Sequence, residues 1–286
     1  MSLEEVMRSM AELLRNTEAS AAVGAYLSLA DRATNPEVRE HLSRVVDVLG
    51  IRAACDELDV RERATVIGFT NAFLHLAIDL IDDPTRPGQW THTDPAILTG
   101  IGNGSAGLAP IMAACGLGKP DARILDVGSG IGGLSMSMCR AYPSSTVVGL
   151  EPWVPSLAIA RANVEANGLA ERITFVQQTI EHYDDAEGFD LVWLPGPFLP
   201  EAILTAALAR SYALTRPGGE VVLGTFGRTG APLDDALSEL RTVRSGGTVL
   251  APDDAVARLE RAGFGNVREL ERKWAMPVRF VVGSRG

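Results

Sequence analysis

The chain has 286 residues, of which 46% are hydrophobic and 22% are charged, proportions typical of a globular protein with a sizeable core. Its net charge of −10 excludes a diffuse basic surface, so we expect no nucleic acid and no anionic membrane as a partner. Its three cysteines lack C-x-x-C spacing. They therefore indicate no disulfide framework and no metal site, and they fit a reducing, cytoplasmic location.

The first hundred residues are predicted to be helical. Apolar residues recur there at helical spacing, for example from Leu42 to Leu49. The segment from Val66 to Ile81 is apolar nearly all round, so we expect it to be buried against other helices or a second subunit. It is too short and too often interrupted by polar residues for a membrane span. We predict that residues 1–100 form a helical lid or a dimerisation region.

The rest of the chain, residues 101–286, is predicted to alternate strands and helices. Strands are expected at 123–127, 146–150, 173–177, 189–193, 220–226, 266–274 and 278–284, with helices near 133–142, 156–167, 201–213, 231–242 and 252–262. A turn is expected at RPGG, residues 216–219. The short link through Pro277 makes the last two strands antiparallel neighbours. We therefore predict an α/β fold, a Rossmann-like doubly wound sheet that is mostly parallel with an antiparallel C-terminal pair.

The stretch ILDVGSGIGG, residues 124–133, joins the first of these strands to a helix. Its glycines at 128, 130 and 133 fit the dinucleotide fingerprint, whereas those at 128, 130 and 132 fit a second pattern. Asp126 would repel a bound diphosphate, which favours a cationic ligand instead. Glu151 ends the second strand, where a carboxylate holds a ribose diol under either pattern.

Four segments follow one another along the chain: ILDVGSGIGG, VVGLEPW, FDLVWLPGPF and LTRPGGEVVLGTF. Together they resemble the class I S-adenosylmethionine-dependent methyltransferases, over about residues 120–286. The resemblance implies S-adenosylmethionine as the cofactor and S-adenosylhomocysteine as the product. It implies that the ribose hydroxyls bind Glu151. The methionine part of the cofactor is expected at the loop residues Asp126, Gly128, Ser129, Gly130 and Gly132.

The adenine contacts are the least regular part of this resemblance. Trp153 is expected to pack on the adenine face, with a core tryptophan between strand and helix as the alternative. Many relatives place an acid after the third strand, where this chain has Thr179 between Gln178 and Ile180. We expect Gln178 or backbone groups to contact the adenine, and Leu194 to border the cofactor.

The segment after the fourth strand, Leu194 to Phe198, is expected to face the transferred methyl group. Enzymes that methylate a planar amide or adenine nitrogen often have Asp or Asn there, followed by Pro-Pro and an aromatic residue. This chain offers LPGPF and no side-chain carbonyl, which argues against that class of acceptor. Pro195 and Phe198, together with Trp90, are predicted to form a rigid apolar wall for the substrate.

A general base is sought among the four histidines, because an oxygen acceptor has to lose a proton. His92 stands in the loop GQWTHTDP, just ahead of the strand–helix region. Its imidazole can accept a proton at neutral pH. We predict His92 as the catalytic residue, with an exposed loop residue as the alternative.

Two classes of function stay open. The first is a methyltransferase acting on oxygen or nitrogen of a small-molecule, specialised metabolite, with a homodimer as one arrangement of the chain. The second is a protein that binds S-adenosylmethionine without transferring methyl, as an assembly partner or a catalyst of another reaction. The lack of a compelling base keeps the second class open.

Overall fold

The computed structural model describes residues 2–29, 32, 35–226, 230–274, 276 and 278–286. Contacts between Cα atoms divide the chain into two compact units. The first unit comprises Met1–Pro84 and Asp94–Gly104, and the second comprises Thr85–Thr93 and Ser105–Gly286. Residues 85–93, which include most of the loop GQWTHTDP, therefore belong to the second unit.

The first unit is helical, as the sequence predicts. Its helices are α1 (Leu3–Ser28), α2 (Pro36–Val48), α3 (Arg52–Glu57), α4 (Val60–Asp82) and α5 (Pro95–Ser105). α1 begins with a capping box, in which the Ser2 hydroxyl accepts from the Glu5 amide and the Glu5 carboxylate accepts from the Ser2 amide.

Glycines let α4 and α5 approach closely. A Cβ atom built on Gly100 would lie 2.1 Å from the carbonyl oxygen of Gly68 and 2.5 Å from Cβ of Ala72. One turn later, a Cβ on Gly104 would lie 2.0 Å from the ring of Phe69. The two helices therefore pack closely, and neither Gly100 nor Gly104 has room for a side chain.

The apolar helix α4 differs from its prediction in length and in burial. It has 23 residues, and among residues 66–81, all of which the structure describes, only Ala72 is buried. Residues 62–82 and 95–114 are both long and apolar enough to cross a membrane. This is weak evidence, because core helices of soluble proteins meet the same criteria. The expected shortness of α4 was wrong, and the other helices that the structure describes do not bury it, while its burial against a second subunit stays a prediction.

The second unit contains a seven-stranded sheet. Its strands are β1 (Arg123–Val127), β2 (Thr146–Leu150), β3 (Ile173–Val176), β4 (Phe189–Pro195), β5 (Thr215–Phe226), β6 (Gly265–Glu269) and β7 (Val278–Ser284). They lie in the order β3-β2-β1-β4-β5-β7-β6. The first five are parallel, and β7 is antiparallel to both of its neighbours. The predicted fold class is confirmed.

Helices cover both faces of this sheet. They are α6 (Leu108–Ala114), α7 (Gly133–Ala141), α8 (Val154–Ala166), α9 (Glu201–Leu214), α10 (Pro232–Arg244) and α11 (Pro252–Arg261). One core cluster joins α6 and α7 to the sheet through residues such as Met112 and Met138. The other joins α9 and α11 to the opposite face through Leu204, Leu208 and Leu259. This double burial explains why the parallel strands are apolar without alternation.

Two strand ends differ from the prediction. β5 already begins at Thr215, and residues 216–219, where a turn was expected, form an irregular stretch within it at which the pairing with β4 shifts register. Gly218 takes a positive φ of 78° there. β6 ends at Glu269 instead of continuing to residue 274, while Pro277 lies outside the described residues.

The contact between α4 and α5 yields a first prediction. An ordinary helical glycine gains roughly 0.5–1 kcal/mol on replacement by alanine. Gly100→Ala should instead lower the free energy of unfolding by about 1–3 kcal/mol, because the new methyl group meets the Gly68 carbonyl. Urea denaturation would measure the change, with the exposed Thr99→Ala on the same helix as control. A stabilised Gly100→Ala variant would contradict the close packing.

Candidate active site

The glycine loop lies where β1 passes into α7. Gly128, Gly130 and Gly132 have φ values of +65°, +56° and +80°, a region that glycine adopts without strain. A Cβ on Gly132 would lie 2.8 Å from the Phe175 ring, so this glycine is also required for packing. A Cβ on Gly130 would meet no atom within 4 Å. Gly130 is therefore the position at which the backbone borders open space.

Glu151 holds this loop from the end of β2. One carboxylate oxygen accepts from the Gly130 amide at 2.8 Å, and the other accepts from the Trp153 amide at 2.7 Å. Burial raises the pKa of Glu151, while these two backbone bonds act to lower it. The carboxylate is thus fixed in orientation, and its remaining lone pairs are available to a ligand.

Asp126 lies beside this carboxylate and is fully buried. The Ser135 hydroxyl, in the first turn of α7, donates to Oδ2 at 2.5 Å. Oδ1 has no hydrogen-bond partner among the described residues. Burial, with a smaller contribution from the charge of Glu151, raises the pKa of Asp126 to about 7. A buried, half-satisfied carboxyl of this kind needs a donor or a cation from outside the chain.

Trp153 connects the glycine loop to the predicted base. It is half-buried, caps the N-terminus of α8, and donates its indole N–H to the carbonyl oxygen of His92 at 2.8 Å. This contact uses the backbone of His92 and not its imidazole. His92 is buried, so the alternative of an exposed loop residue is wrong.

Two of the three residues of the predicted substrate wall, Trp90 and Phe198, are in contact in the second unit. Trp90 makes an edge-to-face contact with the His92 ring at 5.1 Å between centroids and with the Phe198 ring at 5.3 Å. Phe198 follows Pro195, the last residue of β4, in a single 3-10 turn. Aromatic rings from the loop and from the end of β4 thus form one apolar surface at the carboxyl edge of the sheet.

Residues 85–93, here called the strap, are fastened to the end of α10. The amide of Gln89 donates to the Arg244 carbonyl at 3.2 Å. A Cβ on Gly88 would lie 2.0 Å from the Val243 carbonyl oxygen, so only glycine permits this approach. The strap therefore runs from the C-terminus of α10 to the N-terminus of α8, where His92 meets Trp153.

Of the residues expected near adenine, two lie in or beside a short turn and two are part of the hydrophobic core. Gln178 donates its side-chain amide to the His182 carbonyl at 2.6 Å, and Thr179 caps a short 3-10 turn. The side chains of Ile180 and Leu194 belong to the hydrophobic core. Only the backbone of these two residues could therefore contact a ligand, and the adenine contacts stay a prediction.

Three residues of this site were missed by the sequence analysis. Ser135 bonds to Asp126, Phe175 packs behind the glycine loop, and Gly149 leaves room for that ring, since its Cβ would lie 2.6 Å from it. The spacing between Asp126 on the strand and Ser135 in the first helical turn could have revealed the role of Ser135. The other two depend on the β2–β3 register, which no local pattern shows.

The buried carboxyl of Asp126 predicts a pH dependence of stability. Its pKa is raised in the folded state, so its contribution to stability is present at low pH and is lost as the pH rises toward about 7. Asp126→Asn should therefore match the wild type near pH 4 and exceed it by a few kcal/mol at pH 8. Thermal unfolding of both proteins across this range measures the difference, and a constant difference would contradict the raised pKa.

Known proteins resemble this chain in its central part. Residues 124–219, about a third of the chain, match the family model described as "Methyltransferase domain". A release factor glutamine methyltransferase of Chlorobaculum tepidum is 36% identical over 96 residues, 32% of this chain and 33% of that protein. A demethylmenaquinone methyltransferase of Thermus thermophilus is 34% identical over 110 residues, 38% of this chain and 50% of that protein. The chain thus spans only a third to a half of these relatives.

Solved structures share the whole fold. Human N-acetylserotonin methyltransferase, in complex with S-adenosylmethionine, aligns over 100% of both chains with a TM-score of 0.66 and 14% identity. At this level of identity the likeness shows the fold alone. It covers the helical region as well as the sheet. The resemblance drawn from the four sequence segments is confirmed: residues 124–219 match a methyltransferase domain, and the fold around them is that of a solved methyltransferase structure.

Proposed function

We propose that the protein transfers the methyl group of S-adenosylmethionine to an oxygen or nitrogen atom of a small-molecule, specialised metabolite. The observation that supports this most directly is the pairing of Asp126 and Glu151 around the open space at Gly130. An intact cofactor loop beside an apolar aromatic wall is what methyl transfer requires, since the reaction depends on alignment and exclusion of water.

The residues at the loop fit this cofactor. When bound, S-adenosylmethionine supplies an electrophilic methyl group on a cationic sulfur. The unpaired Oδ1 of Asp126 is suited to the ammonium group of its methionine part, and the oriented carboxylate of Glu151 is suited to the ribose hydroxyls. Gly130 has no side chain that would block this space. No diphosphate is accommodated by two buried acidic groups.

The end of β4 favours a small-molecule acceptor over a glutamine side chain. Pro195 and Pro197 border Gly196 there, and no side-chain carbonyl is present to accept amide hydrogens. The release factor methyltransferase relative acts, by its name, on glutamine, but its likeness to this chain covers the cofactor half. The Trp90–Phe198 contact supplies an apolar wall for a planar or hydrophobic acceptor.

The alternative is a protein that binds S-adenosylmethionine without transferring methyl. Apart from His92, no histidine is brought to this aromatic surface among the described residues. This function would leave cofactor binding intact while no methylated product forms. Both functions therefore predict cofactor binding, and only methyl transfer predicts a methylated product.

The test combines both measurements. The protein is incubated with S-adenosylmethionine and the small-molecule fraction of a cell extract, and S-adenosylhomocysteine and methylated products are quantified by mass spectrometry. Methyl transfer predicts both products. Calorimetry should show S-adenosylhomocysteine binding and no heat with NAD. Binding without any methylated product would instead establish the alternative.

Gly130→Val provides the matched negative control for this experiment. A Cβ at this position meets no atom within 4 Å, and the valine side chain would extend into the space assigned to the cofactor, so binding should be lost while the fold survives. Gly168→Val is the control. Gly168 also has a positive φ, +65°, and a Cβ there also meets no atom within 4 Å, so the valine imposes the same backbone strain. It lies at the C-terminal end of α8, the end opposite to Trp153. Equal cofactor affinity in the two variants would contradict the assignment of the loop.

His92 is proposed as the general base for a hydroxyl acceptor. His92→Ala should lower kcat by roughly 10² or more, the usual contribution of a positioned base. The Trp153 contact should persist, because it uses the His92 carbonyl oxygen. Affinity for S-adenosylhomocysteine should therefore change little. The exposed His41→Ala serves as control, and an unchanged rate with a proven hydroxyl acceptor would exclude this role.

A further inference from the structure

The strap has no regular structure of its own. Within it, residues 86–93 form neither helix nor strand. Such a segment keeps one position only where other elements bind its backbone or pack against it. One anchor is the bond from the Gln89 amide to the Arg244 carbonyl, beside the close approach of Gly88 to α10. A second anchor lies at His92, near the other end of the strap.

The second anchor is the indole of Trp153. Its N–H donates to the His92 carbonyl oxygen at 2.8 Å. The backbone of Trp153 is itself fixed, because its amide donates to the Glu151 carboxylate at 2.7 Å and its carbonyl accepts from the Leu157 amide of α8 at 3.1 Å. The indole therefore holds the strap from a position that is tied to the end of β2.

The anchored residue carries one of the aromatic rings on the proposed acceptor side. The His92 ring makes an edge-to-face contact with Trp90, and Trp90 makes one with Phe198. A side chain starts at its own backbone, so a shift of the His92 carbonyl displaces the imidazole as well. Misplacement of a reacting group by about 1 Å can cost on the order of 10²-fold in rate. The bond at this carbonyl therefore bears on catalysis, although neither of its atoms belongs to a reacting group.

Trp153 also borders the cofactor side of the site. Its amide shares the Glu151 carboxylate with the Gly130 amide, so a ligand that binds this carboxylate also acts on Trp153. The indole N–H lies in the plane of the ring, so its bond to His92 uses neither face. The side chain is half-buried, and adenine is predicted to pack on one face. One ring would thus meet the cofactor with its face and the strap with its edge.

We infer that Trp153 is a positioning residue: its indole N–H fixes the strap, with His92 and Trp90, and does so more firmly when the cofactor is bound. The inference rests on the proposed function, which assigns the cofactor to Glu151 and the acceptor to these aromatic residues. It gives the indole N–H a role that adenine packing does not require. A phenylalanine ring could pack on adenine as well, but it cannot hold the His92 carbonyl.

Hydrogen exchange with and without S-adenosylhomocysteine measures this coupling and needs no acceptor. In the wild-type protein, saturating ligand should slow exchange of the strap amides by at least about fivefold. In Trp153→Phe the ligand should still bind in calorimetry and slow exchange in the glycine loop, while the strap exchanges at the same rate with and without it. A wild-type strap that does not respond to the ligand, or an equal response in Trp153→Phe, would overturn the inference.

Trp274→Phe is the matched control. Trp274 is likewise half-buried, and its indole N–H donates to a backbone carbonyl, that of Val278, at 2.9 Å. Each variant loses one such bond, so the two should lower the melting temperature to a similar extent. Only Trp153→Phe should abolish the response of the strap to the ligand. An equal loss in Trp274→Phe would show a general loosening of the fold and would contradict the positioning role.

Turnover separates positioning from cofactor binding. With the extract as the source of acceptor, Trp153→Phe should lower kcat for S-adenosylhomocysteine formation at least about tenfold and change the KM for S-adenosylmethionine less than about threefold. The reason is that the ring and the amide bound by Glu151 are both retained. Trp274→Phe should keep both values. A raised KM with an unchanged kcat would assign Trp153 to adenine packing alone and overturn the inference.

These measurements keep the inference and the proposed function apart. Binding of S-adenosylhomocysteine and formation of methylated product, without any change in the strap, would overturn the inference alone. A strap that responds to the ligand in the wild type and not in Trp153→Phe, with no methylated product from the extract, would overturn the proposed methyltransferase activity alone. Absence of S-adenosylhomocysteine binding to the wild type would overturn the cofactor assignment on which both rest.

Discussion

The site depends first on one carboxylate, that of Glu151. Its two oxygens accept from the amides of Gly130 and Trp153 and thereby tie together the loops that follow β1 and β2. These loops lie side by side because β1 and β2 pair in parallel, with Asp126 opposite Gly149. A longer residue at 149 would collide with Phe175, so the packing behind the sheet sets the position of the carboxylate in front of it.

From this carboxylate a continuous set of contacts leads to the proposed acceptor side. The Trp153 amide is bound by Glu151, its indole is bound to the His92 carbonyl, and the His92 ring touches Trp90. Trp90 in turn packs on Phe198. Displacement of the end of β2 would therefore move the strap as well as the glycine loop. The structure offers a physical route by which a ligand on one side is felt by aromatic residues on the other.

Much of the fold could be predicted from the sequence because its signals are local. Glycines mark the loop, an apolar run marks β1, and prolines and glycines mark the turns. None of these signals depends on what the element packs against. The extent of α4 and its exposure could not be predicted, since hydropathy records composition and not what covers a helix. The sequence RPGG predicts a turn, but it does not show that these residues lie within β5, because that depends on the pairing with β4.

The candidate site divides in the same way. Asp126, Glu151 and Gly130 follow from strand ends and spacing, which a sequence displays. The contact of His92 with Trp153 spans 61 positions, and the contact of Gln89 with Arg244 is longer still, so neither leaves a local pattern. α10 is misleading for a further reason. Its leucines predict a buried face, whereas the fold buries Ser238 and exposes Leu237.

Among the residues that the structure describes, four buried side-chain oxygens make no hydrogen bond. They belong to Asp126, Ser129, Thr225 and Ser238, and each costs roughly 1–3 kcal/mol while it lacks a partner. The first two lie at the end of β1 and the last two lie around the end of β5. A chain selected for stability alone would replace them with apolar residues. They are grouped near the carboxyl ends of the parallel strands, the edge at which this class of sheet binds its ligands.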